Sequence, residues 1–211
     1  MIDRALVVAS WDEVAARQRA RVFIHPSALK GSAAYEASGV AAADMIAPYF
    51  ARGERLLDFG AGDGRVAVPL HDRGYVVTAV DSSPAMLDRL RARRPAIPTV
   101  VNDGTGLADV AGPFDGIYAL AVLIHHGHAD GAAIITELAR ALVRGGRLIF
   151  DVPVYDEPYE RAGWIDVTVW DPTSLAAAIT DAGLNVTRLV SQGPRFDRGT
   201  HRLELTIATG P

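Results

Sequence analysis

The 211-residue sequence contains no cysteine, and this absence excludes several kinds of chemistry. Without thiols the chain has no disulfide, no thiolate nucleophile and no cysteine-ligated metal ion or iron–sulfur cluster. A radical mechanism on a cysteine-bound cluster is therefore excluded. Lysine is nearly absent too, since Lys30 is the only one, and arginine carries almost all of the positive charge.

The sequence also lacks a long apolar segment and a basic cluster. The longest uninterrupted apolar stretch, Ile117–Ile124, is much shorter than a helix that spans a bilayer. The formal net charge is -4, so we expect neither a nucleic-acid partner nor membrane association. Near the N-terminus, Asp3 and Asp12 flank a short apolar run, Ala5–Ala9, which does not fit a secretory signal. We therefore expect a cytoplasmic protein.

The order of apolar segments predicts an α/β fold. Residues 1–50 predict an N-terminal helical cap or lid, with helices at Trp11–Phe23 and Ala33–Phe50. From residue 51 to residue 211 we expect the core, in which short β-branched strands alternate with helical segments. The predicted strands are Leu56–Phe59, Tyr75–Val80, Pro98–Val101, Phe114–Ala119 and Arg147–Val152, and the helices include Pro84–Arg93 and Ala132–Val143. This alternation predicts a doubly wound, mostly parallel sheet.

The C-terminal part of the chain departs from this alternation. Helix Pro172–Ala182 is followed by two apparent strands, Asn185–Val190 and His201–Ala208, with a polar loop and no helix between them. Strands joined in this way pair antiparallel. The sheet should therefore end in an antiparallel hairpin.

Three alternating glycines, Gly60, Gly62 and Gly64, follow the first predicted strand. Glycines at such a turn let the backbone bend tightly and let a ligand approach the main chain beside a helix N-terminus. A dinucleotide-binding loop needs glycines at its first, third and sixth positions, and the sixth here is Arg65. Asp63 would also repel a pyrophosphate. The loop predicts a ligand that presents no phosphate to this turn, and a purely structural turn is the alternative.

Together with Asp58, this loop resembles the first motif of the class I S-adenosylmethionine (SAM)-dependent methyltransferase family. The strand that ends at Asp81 resembles the family's second motif, and Asn102-Asp103-Gly104 resembles its adenine-binding segment. Phe114–Ile117 and Leu138–Phe150 continue the series, so the resemblance covers residues 50–154. It implies a Rossmann-like methyltransferase fold with a seven-stranded sheet, SAM as the cofactor and S-adenosylhomocysteine (SAH) as its product.

The resemblance also implies roles for individual residues. Asp81 would accept hydrogen bonds from both ribose hydroxyls, Asp103 would contact the exocyclic amine of adenine, and the Gly104 N–H would contact a ring nitrogen. Asp58 would organise the loop and reach the SAM amino group through water. Helix capping by Asp81 and a plain turn at Asp103 are the alternatives. The expected cofactor-binding residues are Tyr35, Asp58, Gly60, Ala61, Gly62, Asp81, Ser82, Met86, Asp103, Gly104 and Ala119.

Methyl transfer requires mainly an aligned acceptor and the exclusion of water, with a base where the acceptor is a hydroxyl. His125 and His126 follow the fourth predicted strand and are the candidate bases, with packing or helix capping as their alternative role. We expect no metal site from these residues and His128, because their sequence spacing is too tight for three imidazoles to converge on one ion. Asp151 and Asp156 could contact an acceptor, or they could be solvated charges.

The acceptor is expected to be a small molecule. Relatives that methylate nucleobase amines or glutamine amides carry an Asn or Asp, two prolines and an aromatic residue after the fourth strand, where this chain has Ala119-Leu120-Ala121-Val122. Tyr35 of the N-terminal part and Tyr155, Tyr159 and Trp164 of the loop Tyr155–Trp164 could line an aromatic pocket, or they could pack at the surface. We expect a hydroxyl or amine of a metabolite, natural-product intermediate or sugar. A nicotinamide-dependent oxidoreductase and a non-catalytic SAM-binding protein are the alternatives.

Overall fold

A computed structural model describes residues 4–16, 32–161, 167–194 and 202–209, and these fall into two compact units. The first unit, Arg4–Gly104, contains α1 (Arg4–Ala16), α2 (Ala33–Ile46), β1 (Arg55–Phe59), α3 (Ala67–Asp72), β2 (Val76–Asp81), α4 (Pro84–Arg93) and β3 (Thr99–Val101). The second unit starts at Thr105 and contains β4 (Phe114–Ala119), α5 (His128–Arg140), β5 (Leu142–Val154), β6 (Tyr159–Arg161), β7 (Val167–Val169), α6 (Pro172–Asp181), β8 (Asn185–Pro194) and β9 (Arg202–Thr209).

Seven strands form a sheet in the order β3-β2-β1-β4-β5-β9-β8. Strand β2 pairs in parallel with β1 and β3, and β4 pairs in parallel with β5. Strand β9 runs antiparallel to both β5 and β8. The predicted doubly wound, mostly parallel, seven-stranded sheet with a C-terminal antiparallel hairpin is therefore confirmed.

Local sequence explains how the elements next to the glycine loop form. In β1 all residues after Arg55 are buried, as expected for a parallel strand that is covered on both faces. Helix α4 has Pro84 at its first turn, and the Ser83 side chain at its N-cap accepts a hydrogen bond from the Met86 N–H. The end of β1 and the start of α4 therefore both lie close to Asp81, the last residue of β2.

Several predicted boundaries were wrong. Helix α1 begins at Arg4, not at Trp11, and the predicted part beyond residue 16 lies outside the described residues. Helix α5 starts at His128 and ends at Arg140, since Leu142 already pairs with Phe114 and belongs to β5. Strand β5 is longer than predicted because its register with β4 shifts after Leu142 and then resumes at Arg147. Of the helices in the described part of the chain, none is long and apolar enough to cross a membrane.

The predicted loop Tyr155–Trp164 contains a strand that the sequence pattern did not indicate. Its residues Tyr159–Arg161 form β6, which pairs antiparallel with β7, and Trp164 lies outside the described residues. Strand β8 also continues to Pro194, beyond the predicted end at Val190. The assignment of residues 1–50 to a lid and 51–211 to a core stays a prediction.

Candidate functional site

The glycine loop that follows β1 has the left-handed backbone that only glycine adopts without strain. The φ angles of Gly60, Gly62 and Gly64 are 77°, 56° and 82°. A Cβ added at Gly64 would lie 2.2 Å from Leu90 Cδ1, whereas a Cβ at Gly62 would meet no protein atom within 4 Å. Gly64 is therefore needed for packing against α4, while Gly62 borders open space that a ligand can occupy.

The loop is bonded to the end of β2. The N–H groups of Gly60 and Ala61 donate to Val80 O at 2.8 and 2.9 Å, and the Gly62 N–H donates to Asp81 Oδ2 at 2.7 Å. Asp81 Oδ1 accepts the Ser83 N–H at 2.8 Å. A carboxylate can accept about four hydrogen bonds, so these two are compatible with the predicted ribose contact. Because Ser83 is the N-cap of α4, Asp81 does not have the capping role considered as its alternative.

The adenine-binding segment differs in detail from what the resemblance implied. Asn102 Oδ1 accepts the Gly104 N–H at 2.9 Å, so this N–H, which was assigned to an adenine ring nitrogen, already has an acceptor. The Asn102 N–H donates to Asp81 O at 3.2 Å, and Asp103 is exposed. The adenine contacts of Asp103 and Gly104 stay predictions. The contact of Asn102 was missed, although an asparagine two residues before a glycine is a recognisable turn signal.

The other predicted cofactor-binding residues of this unit differ in how far they are buried. Met86 is buried and packs with Ala15 of α1, beside Trp11. Helix α1 is also tied to the start of α4, because the Ser83 hydroxyl donates to Asp12 Oδ1. Asp58 and Ala61 are buried, and Ser82 is half-buried. The predicted cofactor contacts of Met86, Asp58, Ala61 and Ser82 stay predictions.

Tyr35 is buried, and its hydroxyl donates to Asp63 Oδ1 at 2.7 Å. Burial, together with the adjacent Asp63 carboxylate, raises the pKa of Tyr35 above its ordinary value. Arg93 supports the same carboxylate, since its Nη1 lies 3.6 Å from Asp63 Oδ1 and donates to Asp63 O at 2.9 Å. This network holds the glycine loop from α2 and α4. The predicted cofactor contact of Tyr35 stays a prediction, and its hydroxyl proton is bonded to Asp63.

In the second unit, the turn after β4 has an unusual backbone. Ala119 is fully buried at the strand end, and Ala121 has a φ of 59°, which is rare for a residue other than glycine. Its N–H donates to Asp151 Oδ1 at 2.5 Å. Asp151 thus holds the strained turn that leads to the two candidate histidines, and such strain is concentrated at functional sites.

The two candidate bases lie at the end of a short 3₁₀ helix, Leu123–His125, and both are buried. The His126 Nδ1 atom is 3.1 Å from Val122 O. His128 begins α5 and has a different environment, because its Nδ1 lies 3.1 Å from Glu160 Oε1 and its Nε2 lies 3.0 Å from Val169 O. His128 therefore links α5 to the β6–β7 hairpin. Within the described residues, no group of three or more acidic or histidine side chains is placed to hold a metal ion.

Two tyrosines of the predicted aromatic pocket pack within the second unit. Tyr155 and Tyr159 are partly buried against a cluster formed by Ile124, Val167 and Val169. The cluster therefore joins the segment of the candidate histidines to β7. Tyr155 and Tyr159 therefore pack against neighbouring side chains, which is the alternative to lining a pocket.

Comparison with known proteins shows which proteins this chain is similar to. A family model described as a methyltransferase domain matches residues 56–146. An uncharacterized methyltransferase of Mycobacterium tuberculosis is 38% identical over 126 residues, which are 59% of this chain and 48% of that protein. The chain spans about half the length of the curated relatives that it matches.

Solved structures share the fold at low identity. Magnesium protoporphyrin IX methyltransferase from Synechocystis PCC 6803, solved with bound SAM, has a TM-score of 0.72 at 17% identity, with 100% of this chain and 98% of that chain covered. The 1,6-didemethyltoxoflavin-N1-methyltransferase of Burkholderia thailandensis, solved with its namesake ligand and SAH, has a TM-score of 0.65 at 24% identity, with 83% and 80% covered. The methyltransferase domain model that matches residues 56–146 and the fold shared with these structures agree with the resemblance to the class I SAM-dependent methyltransferase family.

Proposed function

We propose that this chain binds SAM with residues of the unit Arg4–Gly104 and transfers its methyl group to a small molecule. The observation that carries the proposal is that the Gly62 N–H is bonded to Asp81, while the space next to the Gly62 Cα is open. The Asp81 carboxylate can accept hydrogen bonds from ribose hydroxyls, and the accessible main chain beside it can contact an extended part of the ligand that carries no phosphate. SAM has both.

The catalytic requirement is modest, because bound SAM supplies a methyl group that the sulfonium already activates. The protein has to align the acceptor, exclude water and, for a hydroxyl acceptor, remove its proton. We assign the removal of this proton to His125, with His126 as the second candidate. Both histidines are buried, and they follow the turn whose Ala121 N–H is bonded to Asp151. Asp81 would hold the ribose and Gly60–Gly62 the amino-acid part.

The acceptor in this proposal is a hydroxyl or amine of a metabolite, natural-product intermediate or sugar. Two solved relatives support a small acceptor, since one is named for magnesium protoporphyrin IX and the other for 1,6-didemethyltoxoflavin. The sequence Ala119-Leu120-Ala121-Val122 supports it as well, because it differs from the motif used on nucleobases and glutamine amides. A cytoplasmic location stays a prediction.

Two measurements test the proposal. Calorimetric titration with SAM, SAH and NAD should give binding of the first two only, and binding of NAD alone would overturn the cofactor assignment. A panel of small hydroxyl and amine acceptors should then release SAH from SAM. Tight SAM binding with no SAH release across the panel would favour the alternative of a non-catalytic SAM-binding protein.

A further inference from the structure

The two faces of the β6–β7 hairpin differ in chemistry. Glu160 lies directly opposite Thr168, and Tyr159 lies directly opposite Val169. Because side chains alternate between the faces of a strand, Glu160 and Thr168 share one face, and Tyr159 and Val169 share the other. The hairpin therefore has a polar face and an apolar face.

The polar face is bonded to the first residue of α5. Glu160 Oε1 accepts the His128 N–H at 2.8 Å and lies 3.1 Å from His128 Nδ1. The other ring nitrogen, Nε2, lies 3.0 Å from Val169 O, so the imidazole contacts both strands of the hairpin. The ring also meets the Trp170 ring edge-on, with their centres 4.9 Å apart.

Glu160 supplies an acceptor that the start of α5 lacks locally. The N-cap of this helix is Gly127, which has no side chain to bond the first N–H groups. A Cβ at Gly127 would lie 3.0 Å from Glu160 Oε1, so glycine leaves room for the carboxylate. A negative charge is also favourable at a helix N-terminus. The start of α5 is therefore stabilised by the hairpin.

The apolar face packs against the residue that precedes His125. Ile124 forms a buried cluster with Val167 and Val169, and Tyr159 packs against this cluster. The hairpin therefore contacts the chain on both sides of the two candidate bases, at Ile124 through one face and at the start of α5 through the other.

The candidate bases lie in a short, hydrogen-bonded turn between these two contacts. The N–H groups of His125 and His126 donate to backbone carbonyl groups three residues earlier, at 2.9 and 3.2 Å. Because the turn is short and is held at both ends, the position of the hairpin determines where the two side chains lie.

We propose that Glu160 is a positioning residue for the candidate base His125. Glu160 acts through His128, since their contact holds the hairpin to α5, and the hairpin in turn fixes the segment that carries His125. The inference rests on the proposed function, in which His125 removes the proton of a hydroxyl acceptor. Glu160 itself contacts neither the cofactor nor the acceptor in this proposal.

Amide hydrogen exchange tests the positioning without turnover. In Glu160→Ala, the N–H groups of His125 and His126 should exchange at least about tenfold faster, because a charge-assisted hydrogen bond that held the segment is lost. Glu157→Ala is the matched control, since this exposed acid between β5 and β6 carries the same charge, and it should leave these rates unchanged. Faster exchange confined to the His128 N–H, which loses its acceptor directly, would overturn the inference.

Turnover of a hydroxyl acceptor tests the link to His125. At a temperature at which the variant is fully folded, Glu160→Ala should lower kcat by about tenfold and leave the acceptor KM and the SAH affinity unchanged within about twofold. In a His125→Ala background it should lower kcat no further, because two changes that act on one group are not additive. An equal loss of kcat in both backgrounds would mark a general structural effect and rule out the proposed role.

Glu160→Gln keeps an oxygen that can accept the His128 N–H, so its exchange rates and its kcat should lie between those of the wild type and Glu160→Ala. If Glu160→Ala does not fold, Glu160→Gln decides, and wild-type values in both measurements would contradict the inference. If the wild-type protein releases no SAH with any acceptor, faster exchange at His125 and His126 in Glu160→Ala would still support the positioning and would leave only the methyl transfer contradicted.

Discussion

The Gly62 N–H donates to Asp81 Oδ2 over 2.7 Å, and this bond joins the glycine loop to the end of β2. The same carboxylate accepts the Ser83 N–H, which fixes the first residue before α4. Two motifs that are far apart in the sequence therefore depend on one side chain. Any change at Asp81 should affect both the predicted ribose contact and the shape of the loop.

Asp81→Asn should weaken SAH binding by about 100-fold while the fold is kept, because one acceptor oxygen and the charge are lost from a site with several charge-assisted hydrogen bonds. Asp81→Ala should bind still more weakly. Asp88→Asn, at an exposed position of α4, is the control for a lost negative charge and should bind normally. Calorimetric titration measures the affinities, and an unchanged dissociation constant for both Asp81 variants would contradict the assignment.

Gly62→Val should affect mainly ligand binding, and Gly64→Ala mainly stability. At Gly62 the side chain would enter open space, so we expect a backbone cost of about 1 to 2 kcal/mol in the free energy of unfolding and a loss of SAH affinity of at least about tenfold. At Gly64 the methyl group would collide with Leu90, so we expect a larger loss of stability, about 2 to 4 kcal/mol. Thermal melts with and without SAH separate the two effects. A folded Gly62→Val protein with normal SAH binding would contradict the loop model.

The sheet and the glycine loop could be predicted because their signals are local. Buried parallel strands read as short apolar runs, and alternating glycines mark a turn with positive φ angles whatever surrounds it. Arg65 was interpreted only as a missing sixth glycine. Its contacts with Tyr35 and Ser38 of α2 join residues that are distant in the sequence, so no local pattern indicates them.

The elements that were missed have weaker local signals. Strand β6 has three residues, and its partner β7 lies beyond an intervening segment, so neither shows a clear period of two. The start of β5 at Leu142 was assigned to the preceding helix because an apolar pair after a helical pattern continues that pattern. The positive φ of Ala121 had no sequence signal, since alanine seldom adopts it, and the acceptor carboxylate of Asp151 is contributed by another strand.

Tyr35→Phe should change how stability depends on pH. The pKa of Tyr35 is raised in the folded state by burial and by Asp63, so the unfolded chain releases this proton first, near its ordinary pKa of about 10. The stabilisation from the neutral hydroxyl is complete below about pH 10 and decreases as the pH rises further. Urea denaturation at about pH 8 should give a wild-type advantage of about 1 to 3 kcal/mol over Tyr35→Phe, from the buried hydrogen bond. That advantage should shrink at about pH 10.5, and a constant difference would contradict the burial of an un-ionised Tyr35.

His125→Ala should affect turnover more than His126→Ala does. The His126 Nδ1 atom lies 3.1 Å from the backbone carbonyl oxygen of Val122, which indicates a structural contribution, so His125 is the first candidate for the base. If His125 removes the proton of a hydroxyl acceptor, its replacement should lower the turnover rate by about 100-fold and leave SAH affinity unchanged. His126→Ala should instead lower the melting temperature and reduce turnover only mildly. The comparison requires turnover, SAH affinity and thermal stability for both variants with one acceptor. Equal losses of turnover in proportion to lost stability would mean that both histidines are structural, and that alignment and the exclusion of water carry the reaction.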